Sequence, residues 1–253
     1  MYIDIHCHLD HPTFRPRFVD IIKECKEKNV VICTAATDLA SCQKAVAFAK
    51  KFNNVRCFLG VYPRYSYDEN MKDVMTDSDV EKCFEYIEKN KDVLTGIGEV
   101  GLDFSQHFDK VKQEQDFNKQ IQFASEWKKP IVVHSRKAEE RAIELIEASK
   151  LKQVVMHCFS GSKKLLKRGI DQGFYFSIPT AVVRAQQFQM LVEQVPIEQL
   201  FCETDSPYMS PFPDQPNQPS FVIESYKKIA EIKKLEITEV EKQIEKNFKR
   251  ITG

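Results

Sequence analysis

No apolar run in this chain of 253 residues approaches the roughly 20 residues that cross a bilayer as a helix. The first residues enter a strand-like run directly, with neither a basic leader segment nor a short apolar core behind it, so no secretory signal is expected. The spacing C-x-x-C is absent although there are eight cysteines, which argues against zinc-ribbon and thioredoxin-type motifs. Net charge is missing too, because 37 Lys and Arg balance 37 Asp and Glu. Neutrality argues against a surface that coats long nucleic acid, yet allows an enzyme that grips a few phosphates near its active site. Internal repeats, low-complexity tracts and linker-like stretches are lacking as well, leaving one domain over residues 1–253. A cytoplasmic, monomeric protein without membrane attachment is the expectation. Its cysteines read as free and largely buried thiols: Cys33, Cys57, Cys158 and Cys202 lie in or beside strand-like runs, and Cys25, Cys42 and Cys83 in helical patterns.

What is present alternates. Short β-rich runs occupy 2–6, 30–34, 55–60, 94–98, 130–135, 153–158, 174–178 and 199–204. Amphipathic helical patterns fall near 16–28, 39–52, 78–90, 110–127, 138–148, 162–171 and 184–195, with a final pair near 219–234 and 238–250. Eight strand–helix units in a chain of this length predict a (β/α)8 TIM barrel with an additional C-terminal helix. A doubly wound open sheet is the alternative, but it does not call for eight units. The segment SPYMSPFPDQPNQP (206–219) holds five of the eleven prolines and reads as a stiff loop over the barrel mouth.

Active sites of such barrels lie at the C-terminal ends of the strands, and four of the six histidines fall there. Strand one runs out at His6 and His8, two residues apart and therefore on one face. Strand five ends at His134 and strand six at His157, while strand four runs into Glu99 and strand eight into Glu203 and Asp205. Mixed imidazole and carboxylate donors suit divalent zinc, manganese, iron or magnesium rather than thiolate-bound metals. His6 and His8 read as metal ligands on this basis. His11 and His107 read as loop residues, with His107 solvated.

The stretches DIHCHLD, GEVGLDF, VVHSR, HCFSGS, CETDSPYMSP and EKNFKRI, in that order, resemble the TatD-like metal-dependent deoxyribonucleases, a family within the amidohydrolase-type metal barrels. The resemblance covers nearly the whole chain. It implies two divalent ions (Mg2+, Mn2+ or Zn2+), one held by His6, His8, Glu99 and Asp205, the other by Glu99, His134 and His157, with Glu99 bridging. Two departures stand out. GVYPRYS (60–66) carries Tyr62 and Arg64 where such proteins usually have two histidines around a proline, the first of which helps bind the scissile phosphate. Its loss is expected to leave metals bound but slow the chemistry, although a tyrosine hydroxyl can donate a hydrogen bond and an arginine can clamp phosphate. NQP (217–219) stands where NEP is usual, so Gln218 keeps the shape and loses the charge.

The resemblance implies hydrolysis of phosphodiesters, with DNA ends as the nucleic-acid substrate and 3′-to-5′ exonuclease action. Asp205 is the candidate proton acceptor, and Glu203 would orient water or contact substrate. Tyr62, Arg64 and Arg136 are candidate substrate contacts, with Lys163 and Lys164 as further phosphate contacts. The principal rival is hydrolysis of carbon esters, amides or lactones, including aminoacyl-tRNA deacylation, since one fold supports several chemistries. No strand-end lysine suggests a carbamylated metal bridge, which favours phosphoesters. A phosphomonoesterase that also opens with HxH, and a binding protein whose catalysis has decayed, are the remaining alternatives.

Overall fold

Eight runs rich in Val, Ile, Phe and Cys form strands β1 (Tyr2–Cys7), β2 (Val30–Ala35), β3 (Val55–Leu59), β4 (Gly96–Gly101), β5 (Ile131–His134), β6 (Val154–Met156), β7 (Tyr175–Pro179) and β8 (Leu200–Glu203). A computed structural model, which describes residues 1–63, 75–105 and 109–253, pairs them in sequence order. Every recorded pairing is parallel. Parallel neighbours need long crossovers, supplied by α1 (Phe18–Glu27), α2 (Leu39–Lys51), α3 (Asp77–Lys89), α4 (Lys110–Trp127), α5 (Glu139–Ser149), α6 (Lys163–Asp171) and α7 (Gln186–Gln194). Two further helices, α8 (Val222–Lys233) and α9 (Ile237–Thr252), close the chain. Nearly every strand residue is buried, as both faces of a parallel sheet must be. The architecture is the (β/α)8 barrel with its additional C-terminal helix.

Side-chain hydrogen bonds seal the seam between β8 and β1. The buried Asp4 carboxylate accepts from the Thr204 amide at 2.8 Å and the Thr204 hydroxyl at 2.7 Å. Just above, the Asp205 amide donates to the His6 carbonyl and the His8 amide to the Ser206 carbonyl, at 3.0 and 2.9 Å. Burial drives the Asp4 pKa well above its usual range despite the Thr204 bonds. The closure brings Asp205 beside His6 and His8.

Proline chemistry shifts two boundaries from those read in the sequence. Pro12–Arg17 forms a 3-10 turn before α1, because Pro16 has no N–H to give an α-helical ladder. Pro219 heads another such turn, Pro219–Phe221, before α8. All eight cysteines are free, seven of them buried. No helix among the described residues is long and apolar enough to cross a membrane. Arg64 and His107 lie outside the described residues.

Candidate metal centre

Backbone irregularities aim two of the central side chains. Register shifts between Asp4 and Cys7 in the β1–β2 pairing, and between Ile97 and Val100 in the β4–β5 pairing. His6 and Glu99 sit within these interruptions, where strands commonly re-aim side chains towards a site. Glu99 thus belongs to β4 itself rather than following it, as the run 94–98 had implied. Gly101 then passes so close to β5 that a Cβ would meet the His134 carbonyl oxygen at 2.0 Å, and its φ is +135°. Only glycine serves there.

Glu99 divides its two oxygens between two pairs of imidazoles. Oε2 lies 3.5 Å from His6 Nε2 and 3.5 Å from His8 Nε2. Oε1 lies 3.1 Å from His134 Nδ1 and 3.9 Å from His157 Nε2. Asp205 Oδ1 completes the first side, 3.4 Å from His8 Nε2 and 3.7 Å from His6 Nε2. The His6 and His157 rings stack at 3.9 Å between centroids, so the two sides adjoin.

Burial and mutual charge set the protonation states. Burial disfavours the charged form of Glu99, but the hydrogen bond with His134 and the nearby imidazoles of His6 and His157 outweigh it and hold its pKa well below the usual range. Asp205 is likewise lowered, its burial overcome by the His8 hydrogen bond and the charge of His157. Burial, then repulsion from His157, lowers the pKa of His6. His6 has no exposed surface, and neither of its nitrogens makes a hydrogen bond. A buried imidazole left this way is costly unless something else engages its lone pair. Donor atoms of His6, His8 and Glu99, of Glu99, His134 and His157, and of His6, His157 and Asp205 lie within 4.8 Å of one another in each group. Divalent metal ions fit this donor set.

Behind two of the imidazoles stand carboxylates, the usual outer support of metal-bound histidine. His157 Nδ1 is 2.7 Å from Glu203 Oε2, which also accepts from the Ser177 hydroxyl at 2.7 Å, while Glu203 Oε1 accepts from the Cys158 amide at 3.0 Å. Glu203 therefore lies behind His157, with no exposed surface, rather than facing water or substrate. It ends β8 one layer deeper than Asp205, which the chain lifts to the mouth with a positive φ of 52°. His134 Nε2 is 3.2 Å from Asp103 Oδ2. Asp103 escaped the sequence reading, although an acidic residue two positions beyond a barrel strand was the available signal.

Above the cluster opens a cavity of about 420 Å³, lined by His8, Glu99, His134, His157 and Asp205 together with Tyr62, Arg136, His11 and Tyr208. Tyr62 and Arg136 therefore share the cavity with the cluster, whereas Lys163 lines a separate cleft between α6 and α7. His11 is a loop residue at the mouth whose Nδ1 accepts from the Thr13 amide. The proline-rich loop is pinned by Asn217, whose Nδ2 donates to the carbonyls of Thr204 and Tyr208, each at 2.7 Å. Gln218 next to it donates to Glu24 Oε2 on α1 at 3.0 Å.

Comparison with known proteins agrees with this geometry. The chain is 34% identical over 254 residues to a metal-dependent hydrolase of Methanocaldococcus jannaschii, covering 98% of this chain and 97% of the relative. It is 34% identical over 245 residues to the deoxyribonuclease TATDN3 of Homo sapiens, covering 94% and 89%. The TatD homolog YJJV of Escherichia coli superposes with a TM-score of 0.87 at 23% identity, covering 99% of this chain and 97% of that one. The model of the family described as TatD related DNase matches residues 3–253, and the chain belongs to that family.

Proposed function

We propose that this protein is a metal-dependent phosphodiester hydrolase that trims DNA ends as a 3′-to-5′ exodeoxyribonuclease. The observation that carries the reading is the division of Glu99, with Oε2 facing His6 and His8 and Oε1 facing His134 and His157. One carboxylate placed this way serves two divalent ions, Mg2+, Mn2+ or Zn2+: one with His6, His8 and Asp205, the other with His134 and His157. Such ions, when bound, lower the pKa of water and offset charge that develops on a phosphate. Asp205, ionised and open to the cavity, takes the proton of the attacking water. The water oxygen joins phosphorus, the P–O3′ bond breaks, O3′ takes up a proton from solvent, and a 5′-mononucleotide leaves. Arg136 at the wall pairs with non-bridging phosphate oxygens, and Glu203 keeps His157 oriented. No lysine lines the cavity among the described residues, which favours phosphoesters over chemistry at a carbamylated bridge. The human relative named a deoxyribonuclease supports DNA as the substrate.

The test is a time course on oligonucleotides labelled at either end, single-stranded and duplex, with Mg2+, Mn2+ or Zn2+ supplied after chelation. A 5′-labelled strand shortening stepwise supports the reading. Release of the 5′ label as a mononucleotide reverses the polarity. Hydrolysis of a carbon ester with intact DNA overturns the substrate class.

A further inference from the structure

Two loops at the barrel mouth are clamped by one helix. On α4, Gln120 accepts from the Val61 amide at 2.7 Å and donates to the Val61 carbonyl at 3.2 Å. One helical face and two turns away, Gln113 accepts from the Asp103 amide at 2.8 Å and donates to the Asp103 carbonyl at 3.0 Å. Both glutamines are buried, so each clamp replaces lost water contacts rather than competing with them. The clamps fix the backbones that carry Tyr62 and Asp103, and a bond from the Tyr62 amide to the Thr37 carbonyl at 3.0 Å adds a further constraint.

The side chains of those residues meet at one nitrogen. The Tyr62 hydroxyl lies 3.1 Å from His134 Nε2 and 3.5 Å from Asp103 Oδ2. Asp103 Oδ2 itself is 3.2 Å from His134 Nε2, and its other oxygen accepts from the Ser105 amide at 2.8 Å and hydroxyl at 2.5 Å. The Tyr62 and His134 ring centroids are 4.9 Å apart. An ionised carboxylate accepts hydrogen bonds only, so the proton between Asp103 and His134 sits on Nε2. The tyrosine hydroxyl has both an O–H and lone pairs: it can donate to Asp103 and accept a share of Nε2–H. On the far side of the ring Nδ1 faces Glu99 Oε1 at 3.1 Å; a cation bound there takes the Nδ1 lone pair in place of a proton, while Nε2 keeps its own.

We propose that Tyr62 is a positioning residue: together with Asp103 it holds His134 in the Nε2–H tautomer and presents Nδ1 to a divalent cation beside Glu99 Oε1. The inference rests on the two-ion reading above. It assigns Tyr62 a role different from that of the histidine usually found there, in metal retention rather than in contact with phosphate. Loss of the hydroxyl then acts on the half of the centre that holds His134, the ring on which Tyr62 and Asp103 converge. Outer support of this kind is typically worth 10- to 100-fold in metal affinity.

The experiment compares wild type with Tyr62→Phe, which keeps the ring, and Asp103→Ala, with circular dichroism as the check on folding. Mn2+ binding is followed by calorimetry, and the imidazole nitrogens by 15N NMR of metal-free protein over a pH series that reaches the neutral ring. The expected result is about tenfold weaker binding of one Mn2+ in Tyr62→Phe with the other unchanged, and a loss of Nε2–H character at His134. KM for an oligonucleotide at saturating Mn2+ stays at the wild-type value. A Tyr62→Phe protein with wild-type Mn2+ affinities, a wild-type His134 spectrum and a raised KM overturns the proposal in favour of phosphate contact. Should wild type itself bind no Mn2+ at this centre, the two-ion reading fails and the proposal falls with it. The tautomer in metal-free protein still reports separately whether Tyr62 orients His134.

Discussion

Exchanging Gln218 for glutamate restores the residue usual in related proteins, yet it is expected to destabilise this one. In this structure the Gln218 amide donates to Glu24 Oε2 at 3.0 Å and to the Ser220 hydroxyl at 2.8 Å. Glu24 is already ionised: partial burial raises its pKa, but Lys28, Ser220 and Gln218 together bring it below the ordinary value. Gln218→Glu would turn a donor into a second carboxylate facing the first. Two like charges about 4 Å apart near a protein surface repel by about 4 kcal/mol at an effective dielectric of about 20. Rotation of the partly exposed Glu24 towards Lys28 would reduce that to about 1–2 kcal/mol, and the lost hydrogen bond adds about 1 kcal/mol. A total of about 2–3 kcal/mol lowers Tm by about 5–10 °C in a chain of this size. The two carboxylates raise each other's pKa in the folded state, so the cost is present above about pH 6 and fades as pH falls through about 4–5. Gln218→Met, which adds no charge but removes one donor that lowers the Glu24 pKa, is expected to show a smaller loss with only a slight dependence on pH. Thermal unfolding at pH 7.5 and 4.5 is the assay. A Gln218→Glu protein as stable as wild type at pH 7.5, or one equally weakened at both pH values, refutes the reasoning.

Burial lifts the Asp116 carboxyl from its ordinary 3.8 to about 6, and its Oδ2 has no hydrogen-bond partner. The folded chain thus binds more protons than the unfolded chain between pH 4 and 6, and stability falls as pH rises through that window. The full shift corresponds to about 3 kcal/mol. Solvent reaching the partly buried side chain reduces this to about 1 kcal/mol, so Asp116→Asn should be more stable than wild type at pH 8 and equal to it near pH 3.5 in urea unfolding. Gly101→Ala, forced against the His134 carbonyl, should lower stability by about 3 kcal/mol or more and weaken Mn2+ binding in calorimetry; an unchanged midpoint would mean that β4 and β5 separate freely there. Thiol titration of denatured, unreduced protein should count eight sulfhydryls, matching the eight free cysteines, and blocked thiols would contradict the packing.

Periodicity and composition located the eight strands and the helices to within a few residues because each carries its own signal. The patterned span 110–127 and α4 coincide, since no proline or bulge intervenes. Where the structure departs, a physical feature invisible to periodicity is responsible. The register shift in β4 accompanies Glu99 within the strand, and Pro16 turns the first helical pattern into a 3-10 turn followed by α1. Histidines and carboxylates at strand ends marked the centre, because barrel topology converts strand ends into one surface. Depth along a strand is not written in a motif, and so Glu203 was expected to face water or substrate although it supports His157, and only Asp205, two residues on, faces the cavity. The pairing of Tyr62 and Asp103 at His134 was likewise illegible, since it depends on two glutamine clamps from a distant helix.

The central claim is that Glu99 joins two cation sites, one from each of its oxygens. Anomalous diffraction at the manganese edge, from crystals grown with Mn2+, tests it most directly. The account predicts two peaks, one between Glu99 and the side chains of His6, His8 and Asp205, the other between Glu99 and those of His134 and His157, both diminished in Glu99→Ala. No peak beside these side chains, or two peaks at full occupancy in Glu99→Ala, would contradict it.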